Sequence, residues 1–206
     1  LFQNHTYGTQ TTIGTIEHLK NPSMVAIRNY YEKNYVPNNM AIVMSGDFDP
    51  EAVLKGIEKN FGSMQTKAVA PYKFVPEKEI SSKIVKTVVG PNPESVVLAW
   101  RVGGEGSKDA DICNLLSGML NNNVAGLMDI NLNQAQKVLS SNCFYYPLKD
   151  YGIFVLSGEP KEGQNLEDVE KLLLSQLDLI KKGNYAEWLS AAVVTDLKLR
   201  KTKELE

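Results

Sequence analysis

The chain has 206 residues, 43% of them hydrophobic and 22% charged, and a formal net charge of -2. That length holds one large domain or two small ones with real cores, and that balance is typical of folded globular chains rather than disordered or fibrous ones. Near-neutrality without a Lys/Arg run excludes the basic stripe of a nucleic-acid binder, and no apolar stretch is long enough to span a bilayer.

The start, Leu1-Phe2-Gln3-Asn4-His5, is polar and follows no charged region, so it reads as the middle of a domain rather than a signal peptide. Asn21-Pro22 predicts a helix start, with Met24, Ile27, Tyr31 and Tyr35 recurring at helical spacing as a buried face. Pro37-Asn38-Asn39 breaks the chain, and Met40 to Met44 predicts a short strand covered on both faces. Asp49-Pro50 opens a second helix with a Val53, Leu54, Ile57 and Phe61 stripe, stopped by Gly62.

Residues 63–80 lose all period, with Pro71 and Pro76 among Lys, Glu and Ala, and predict a linker. Beyond it, Ile84–Val89 and Val96–Val102 read as strands of a hairpin across Gly90-Pro91-Asn92-Pro93. A glycine-rich loop, Gly103 to Ser107, precedes a helix over Ala110–Leu120, and a shorter helix follows over Leu127–Gln136. Strands are expected near Ser141–Tyr146 and Ile153–Ser157, punctuated by Pro147 and Gly152. Asn165 opens a long helix with Val169, Leu172, Leu173, Leu177 and Ile180 on one face, and Gly183 closes it. Asn184 and Glu187 resemble a capping box for a last helix carrying Tyr185, Trp188, Leu189, Ala192 and Val193. The hairpin favours an α+β fold, a two-layer sandwich of helices on a mostly antiparallel sheet, over a doubly wound one.

Chemistry is sparse. The two histidines, His5 and His18, do not share a helical face; Glu17-His18 is the tail of a zinc pattern whose partner position is Gly14. Both read as surface or capping histidines. Gly103-Gly104-Glu105-Gly106-Ser107 lacks the Gly-Lys-Ser/Thr that closes a phosphate loop and reads as solvent-exposed. Asp47 with Asp49, and Asp109 with Asp111, precede helices and read as caps rather than a catalytic pair. The tyrosines, Trp100 and Trp188 fit cores, with one ring of Tyr30-Tyr31 turned inward. Cys113 and Cys143 have no C-x-x-C spacing and read as buried small residues, with a single bridge left open for an exported parent. Leu205-Glu206 reads as the start of an expression-vector tail.

One stretch is far more specific. It runs from His5-Thr6-Tyr7-Gly8 through Gly14 and Leu19 to the Tyr30-Tyr31 helix, Tyr35-Val36-Pro37-Asn38-Asn39-Met40 and Ser45-Gly46-Asp47-Phe48-Asp49. In order and spacing it resembles the pitrilysin/insulinase zinc metallopeptidases, and the Pro37-Asn38-Asn39-Met40 form is similar to the large Bacteroides-type bacterial members. Val96–Val102, the helix from Asp109 and the Asn121 to Leu127 turn resemble, more loosely, the opening of the family's second homologous domain.

The resemblance implies residues 1–65 as the C-terminal part of one peptidase-family domain, 66–80 as the linker and 81–206 as most of the next. The family's His-x-x-Glu-His motif and its distal Glu ligand would lie upstream. No catalytic, cofactor-binding or metal-binding residue is therefore carried over to this chain. Zinc is expected in the parent and not on this segment. The implied role is scaffold and chamber wall of a zinc-dependent endopeptidase acting on peptides or small proteins, inactive alone and partnered by the parent's other domains or a homologous subunit. The alternative is a non-catalytic structural or targeting subunit that pairs with an active homologue. The bacterial relatives point to the periplasm.

Overall fold

The computed structural model describes residues 1–205; Glu206 and the Leu205 side chain, and with them the expected vector tail, lie outside the described residues. The chain divides into two compact units, one of Phe2–Lys83 and one of Leu1 with Ile84–Glu206.

In the first unit, α1 (Thr6–Thr9) and α2 (Ile16–Lys20) are single turns, followed by α3 (Met24–Asn34) and α4 (Pro50–Phe61). Helix α3 starts two residues later than expected. Ser23 is its N-cap, its hydroxyl accepting from the Ala26 N–H at 3.2 Å, and Pro22 stays outside. Helix α4 starts as the sequence requires: Asp49 accepts from the Glu51 N–H at 2.9 Å and Pro50 sits in the first turn.

The expected strand Met40–Met44 does not form, and its side chains are exposed, Val43 at 91%. The expected buried faces of α3, including the inward ring of Tyr30-Tyr31, are exposed too. Both departures have one cause: among the described residues this unit contains no strand. An extended segment needs a neighbouring ladder to satisfy its N–H and C=O groups, and an apolar helix stripe needs a sheet to lie on. Tyr31 and Tyr35 stack on each other instead, centroids 4.6 Å apart.

What holds this unit's start is His5. It is fully buried, with ring centroids 4.0 Å from Tyr7 and 4.5 Å from Phe74. The backbone N–H groups of Asn4 and His5 both donate to Glu77 Oε1 at 2.7 Å.

The second unit contains a three-stranded antiparallel sheet of β1 (Val96–Gly103), β2 (Ser140–Pro147) and β3 (Tyr151–Glu159), in the order β1-β3-β2. Helices α5 (Lys108–Leu120), α6 (Leu166–Lys181) and α7 (Glu187–Leu205) complete it, with a π-helical turn at Asp129–Gln134 where an ordinary helix was expected. This is the α+β arrangement that the sequence predicts, but its hairpin is a different one. Strands β2 and β3 form it across residues 148–150, whereas β1 pairs only with β3, Leu98 opposite Leu156. Ile84–Val89 is not a strand, and Val88 is 90% exposed. Central position went to β3 because its residues bury on both faces, Leu156 and Phe154 on one and Val155 on the other.

Helices lie on one face only. Helix α5 packs on β1, β2 and α7, and α6 packs on β3 and β1. Leu98, Cys143, Tyr145, Phe154 and Leu156 meet Ala110, Leu120, Leu132, Val169 and Leu173 in one core. Asn165 caps α6 by accepting from the Asp168 N–H at 2.8 Å, as its sequence predicts. Helix α7 buries Leu189 and Val193 but leaves Trp188 56% exposed, so that tryptophan is not a core residue. Trp100, at the margin of the sheet, is also 38% exposed.

Truncating the central strand therefore tests the core. Leu156→Ala is expected to lower unfolding free energy by about 2–5 kcal/mol in urea titration. Val97→Thr, on the uncovered face, is expected to change it by no more than about 0.5 kcal/mol.

Candidate functional site

Three features of the second unit stand out: a corner where β1 and β2 meet α5, a polar belt around the π-turn, and the sheet face opposite the helices.

The corner is centred on Gly103, the last residue of β1. Its N–H donates to Asp109 Oδ2 at 3.0 Å, and its carbonyl accepts from the Tyr145 hydroxyl at 2.8 Å. Tyr145 belongs to β2, so its ring must cross the central strand to reach β1. Gly152 makes room: a Cβ there would lie 2.6 Å from the Tyr145 hydroxyl. The glycine-rich loop closes the corner. Glu105 N–H donates to the Leu148 carbonyl at 2.8 Å, and a Cβ on Gly104 would lie 2.7 Å from that same oxygen. Gly104 is buried, so this loop is docked on the β2–β3 turn rather than wholly in solvent; only its tip at Glu105 and Gly106 is exposed.

Asp109 does not cap α5. Ser107 does, accepting from the Ala110 N–H at 3.2 Å, while Asp109 faces back to β1 and Asp111 is exposed. Burial raises the Tyr145 hydroxyl above its ordinary range, with the Cys113, Asp109 and Glu105 charges adding to it. The same burial raises the Cys113 thiol, helped by Asp109, and pushes Cys143 up to about 12, helped by Cys113. Both thiols are buried, free and protonated at neutral pH, so neither is a nucleophile there.

The belt is built from amides. Asp129 is buried and accepts from Asn121 Nδ2 at 2.5 Å, Asn122 N–H at 2.8 Å and Gly126 N–H at 3.1 Å. Asn122 Oδ1 accepts in turn from the N–H groups of Val124, Ala125 and Gly126. Asn131 donates to Gln176 on α6 at 2.8 Å, and Asn133 exchanges hydrogen bonds with Ser141 on β2. Every buried polar group named here is paired, which fixes the π-turn to three elements. Reading the sequence missed this belt. The signal was the run Asn121-Asn122-Asn123 with Asp129, Asn131 and Asn133 following at close intervals.

The third feature is the sheet face opposite the helices. It presents Val97 and Ala99 from β1, Ile153 from β3, and Phe144 and Tyr146 from β2. Arg101 lies 5.6 Å from the Tyr151 ring centroid at one end of it. Phe144 and Tyr146 are exposed there, with Val97 from the edge strand β1.

The sequence-predicted polar candidates are dispersed. His5 caps α1, accepting from the Tyr7 N–H through Nδ1 at 3.2 Å, but is buried rather than on the surface. His18 and Glu17 lie on the exposed turn α2, where the His18 N–H donates to Thr15, and Asp47 is exposed. Among the described residues, no three His, Cys, Asp or Glu side chains gather where they could hold a metal ion. His5, held through one nitrogen and walled in by rings, does not fit a zinc ligand set.

Two measurements test these assignments. Asp129→Ala strands several buried donors and is expected to cost about 2 kcal/mol or more in urea titration. The raised Cys143 thiol means that the unfolded chain ionises first, near 9.0, and the folded one near 12. Its contribution to stability is therefore fully present below pH 9 and lost as pH rises towards 12. Denaturation midpoints should fall more steeply over that window in the native sequence than in Cys143→Ala.

Residues 25–196 match the family model described as the Peptidase M16 inactive domain. The zinc protease PqqE of Helicobacter pylori (strain ATCC 700392 / 26695) is 24% identical over 183 residues, covering 86% of this chain and 41% of that protein. A crystal structure of a protease from Helicobacter pylori superposes with a TM-score of 0.70 at 20% identity, over 99% of this chain and 49% of that one. The periplasmic protease PqqL from Escherichia coli gives 0.62 at 16% identity, over 92% of this chain and 22% of that one. The chain thus spans less than half the length of the curated relative it matches. With most of its length inside the family match, it belongs to the M16 peptidases, the pitrilysin family, as their inactive domain.

Proposed function

We propose that this chain is the scaffold and chamber-wall segment of a zinc-dependent endopeptidase, and that the uncovered sheet face is the wall it presents to peptide. One observation carries the reading. A sheet packed by helices on one face leaves Val97, Phe144 and Tyr146 exposed on the other, in a chain of an inactive peptidase domain. Apolar and aromatic groups on a broad rigid surface can hold extended peptide without contributing to bond cleavage.

The division of labour follows from the side chains. Hydrolysis at zinc needs an activated water and a general base. The segment carries no catalytic or metal-binding residue in this reading. The zinc ligands belong to a part of the parent upstream of Leu1, with peptides or small proteins as substrates. The domain plan is an end portion over 1–65, a linker over 66–80 and most of a second domain over 81–206. A change of compact unit between Lys83 and Ile84 supports it. The periplasmic naming of one relative supports an exported parent.

The test compares the parent protein with this chain on a panel of peptides. Chelator-sensitive cleavage is expected from the parent, none from residues 1–206 alone. Replacing both Phe144 and Tyr146 by Ser in the parent is expected to raise KM at least several-fold with kcat little changed. A folded parent that cleaves nothing would instead identify a non-catalytic subunit, to be sought in complex with an active homologue.

A further inference from the structure

We propose that the outer edge of β1 receives residues 84–89 of a second copy of this chain, so that two copies exchange these segments and each sheet gains a fourth strand. The sheet order leaves β1 and β2 as its edges. An edge strand turns the N–H and carbonyl of every second residue away from its neighbour, where they form a template for another strand. The two edges differ in what meets those groups.

The hairpin fixes which residues turn outward. The Leu148 N–H donates to the Tyr151 carbonyl at 3.1 Å. From that pair the register alternates: Tyr146, Phe144 and Asn142 bond to β3, while Pro147, Tyr145, Cys143 and Ser141 face out. Side-chain bonds on β2 agree with this parity. The Cys143 N–H donates to Asn142 Oδ1 at 2.8 Å, the Ser141 carbonyl accepts from Asn133 Nδ2 at 3.0 Å, and Pro147 has no N–H to offer. The β2 edge is thus blunted along most of its length. On the other side of β3, Phe154 and Leu156 bond to Trp100 and Leu98, which leaves Val97 and Ala99 facing out from β1. Gly103, of the same parity, gives its N–H to Asp109 rather than to β3. Val97 and Ala99 are both exposed, and among the described residues no side chain meets their backbone groups.

The same chain carries a segment that fits this edge. Residues 84–89 are β-branched at every position except Lys86, the composition that favours a strand. Ile84, Val85, Val88 and Val89 are all exposed, so the segment gains burial wherever it pairs. It lies in the same compact unit as β1 and yet does not fold back on it. The tether explains why. Residues 90–95 contain Pro91 and Pro93, and each proline holds the residue before it in extended backbone, against a tight reversal. A hinge that keeps a strand away from its own sheet presents it to the sheet of another copy. The exchange is mutual about a two-fold axis and closes at two chains. It satisfies the open β1 edge and the unpaired segment together, and the blunted β2 edge takes no part.

The experiment is sedimentation velocity on the full chain over a dilution series, with amide hydrogen exchange read by NMR at both ends of it. The expected result is a dimer that dissociates to monomer on dilution. In the dimer the amides of Val97, Ala99 and residues 84–89 are protected; in the monomer they exchange freely, while Leu98 and Trp100 stay protected by β3. The double variant Thr87→Pro with Val88→Pro removes one donor of each parity from a segment that is unpaired in the monomer. It is expected to fold normally and to weaken dimerisation by roughly tenfold or more. Ala99→Pro, which removes only an outward N–H, should do the same from the other side. A monomer at every concentration, species larger than a dimer, or a dimer equally tight in the double variant would each overturn the proposal. So would protection of residues 84–89 in the monomer, the mark of a hairpin within one chain. The double variant decides the matter even if Ala99→Pro fails to fold.

Discussion

The second unit depends on one small corner. Gly103 gives its N–H to an aspartate on α5 and its carbonyl to a tyrosine on β2. Those two bonds tie the ends of the sheet's two outer strands together and set the first turn of α5 against both. Each is a hydrogen bond of the modest net strength usual in proteins. Their structural weight comes from geometry. Tyr145 can cross the central strand only because Gly152 has no side chain, and the loop from Gly104 can dock only because Gly104 has none. Residue types that read in sequence as turn punctuation serve here as clearance for closely packed neighbours.

From that corner the rest follows outward. The level of α5 on the sheet places Ala110 and Cys113 in the core and leads its C-terminal end into the Asn121–Gly126 turn. There Asp129 and Asn122 accept from N–H groups of the turn, Asn122, Ala125 and Gly126, that would otherwise be left without partners. The π-turn is held at both ends, by Gln176 from α6 and by Ser141 from β2. A polar network of this kind is stable in a core because nearly every donor and acceptor finds a partner.

The two units contrast sharply in burial. Ile84–Val89 and Met40–Met44 have the β-branched, apolar composition of strands, yet neither pairs. The composition shows that these segments favour extended backbone; it cannot supply the neighbour whose hydrogen bonds make a strand. The same holds for α3, which is helical by local rules but lays its Met24, Ile27 and Tyr31 stripe on nothing within its own unit.

The sequence by itself determined the longer helices, the family and the α+β class. Asp49-Pro50 and Asn165 start helices because each satisfies N–H groups a few residues away, and apolar periodicity marks which side of α6 is inward. These are interactions between near neighbours, so they are legible in one dimension. The tertiary structure alone decided which hairpin forms, that β3 is central, that His5 is buried, and that Asp109 serves β1 rather than its own helix. It also joined Asn131 to Gln176 and brought Tyr145 to Gly103. Such choices rest on which of several chemically equal partners lies close in space, and only the packed chain fixes that distance.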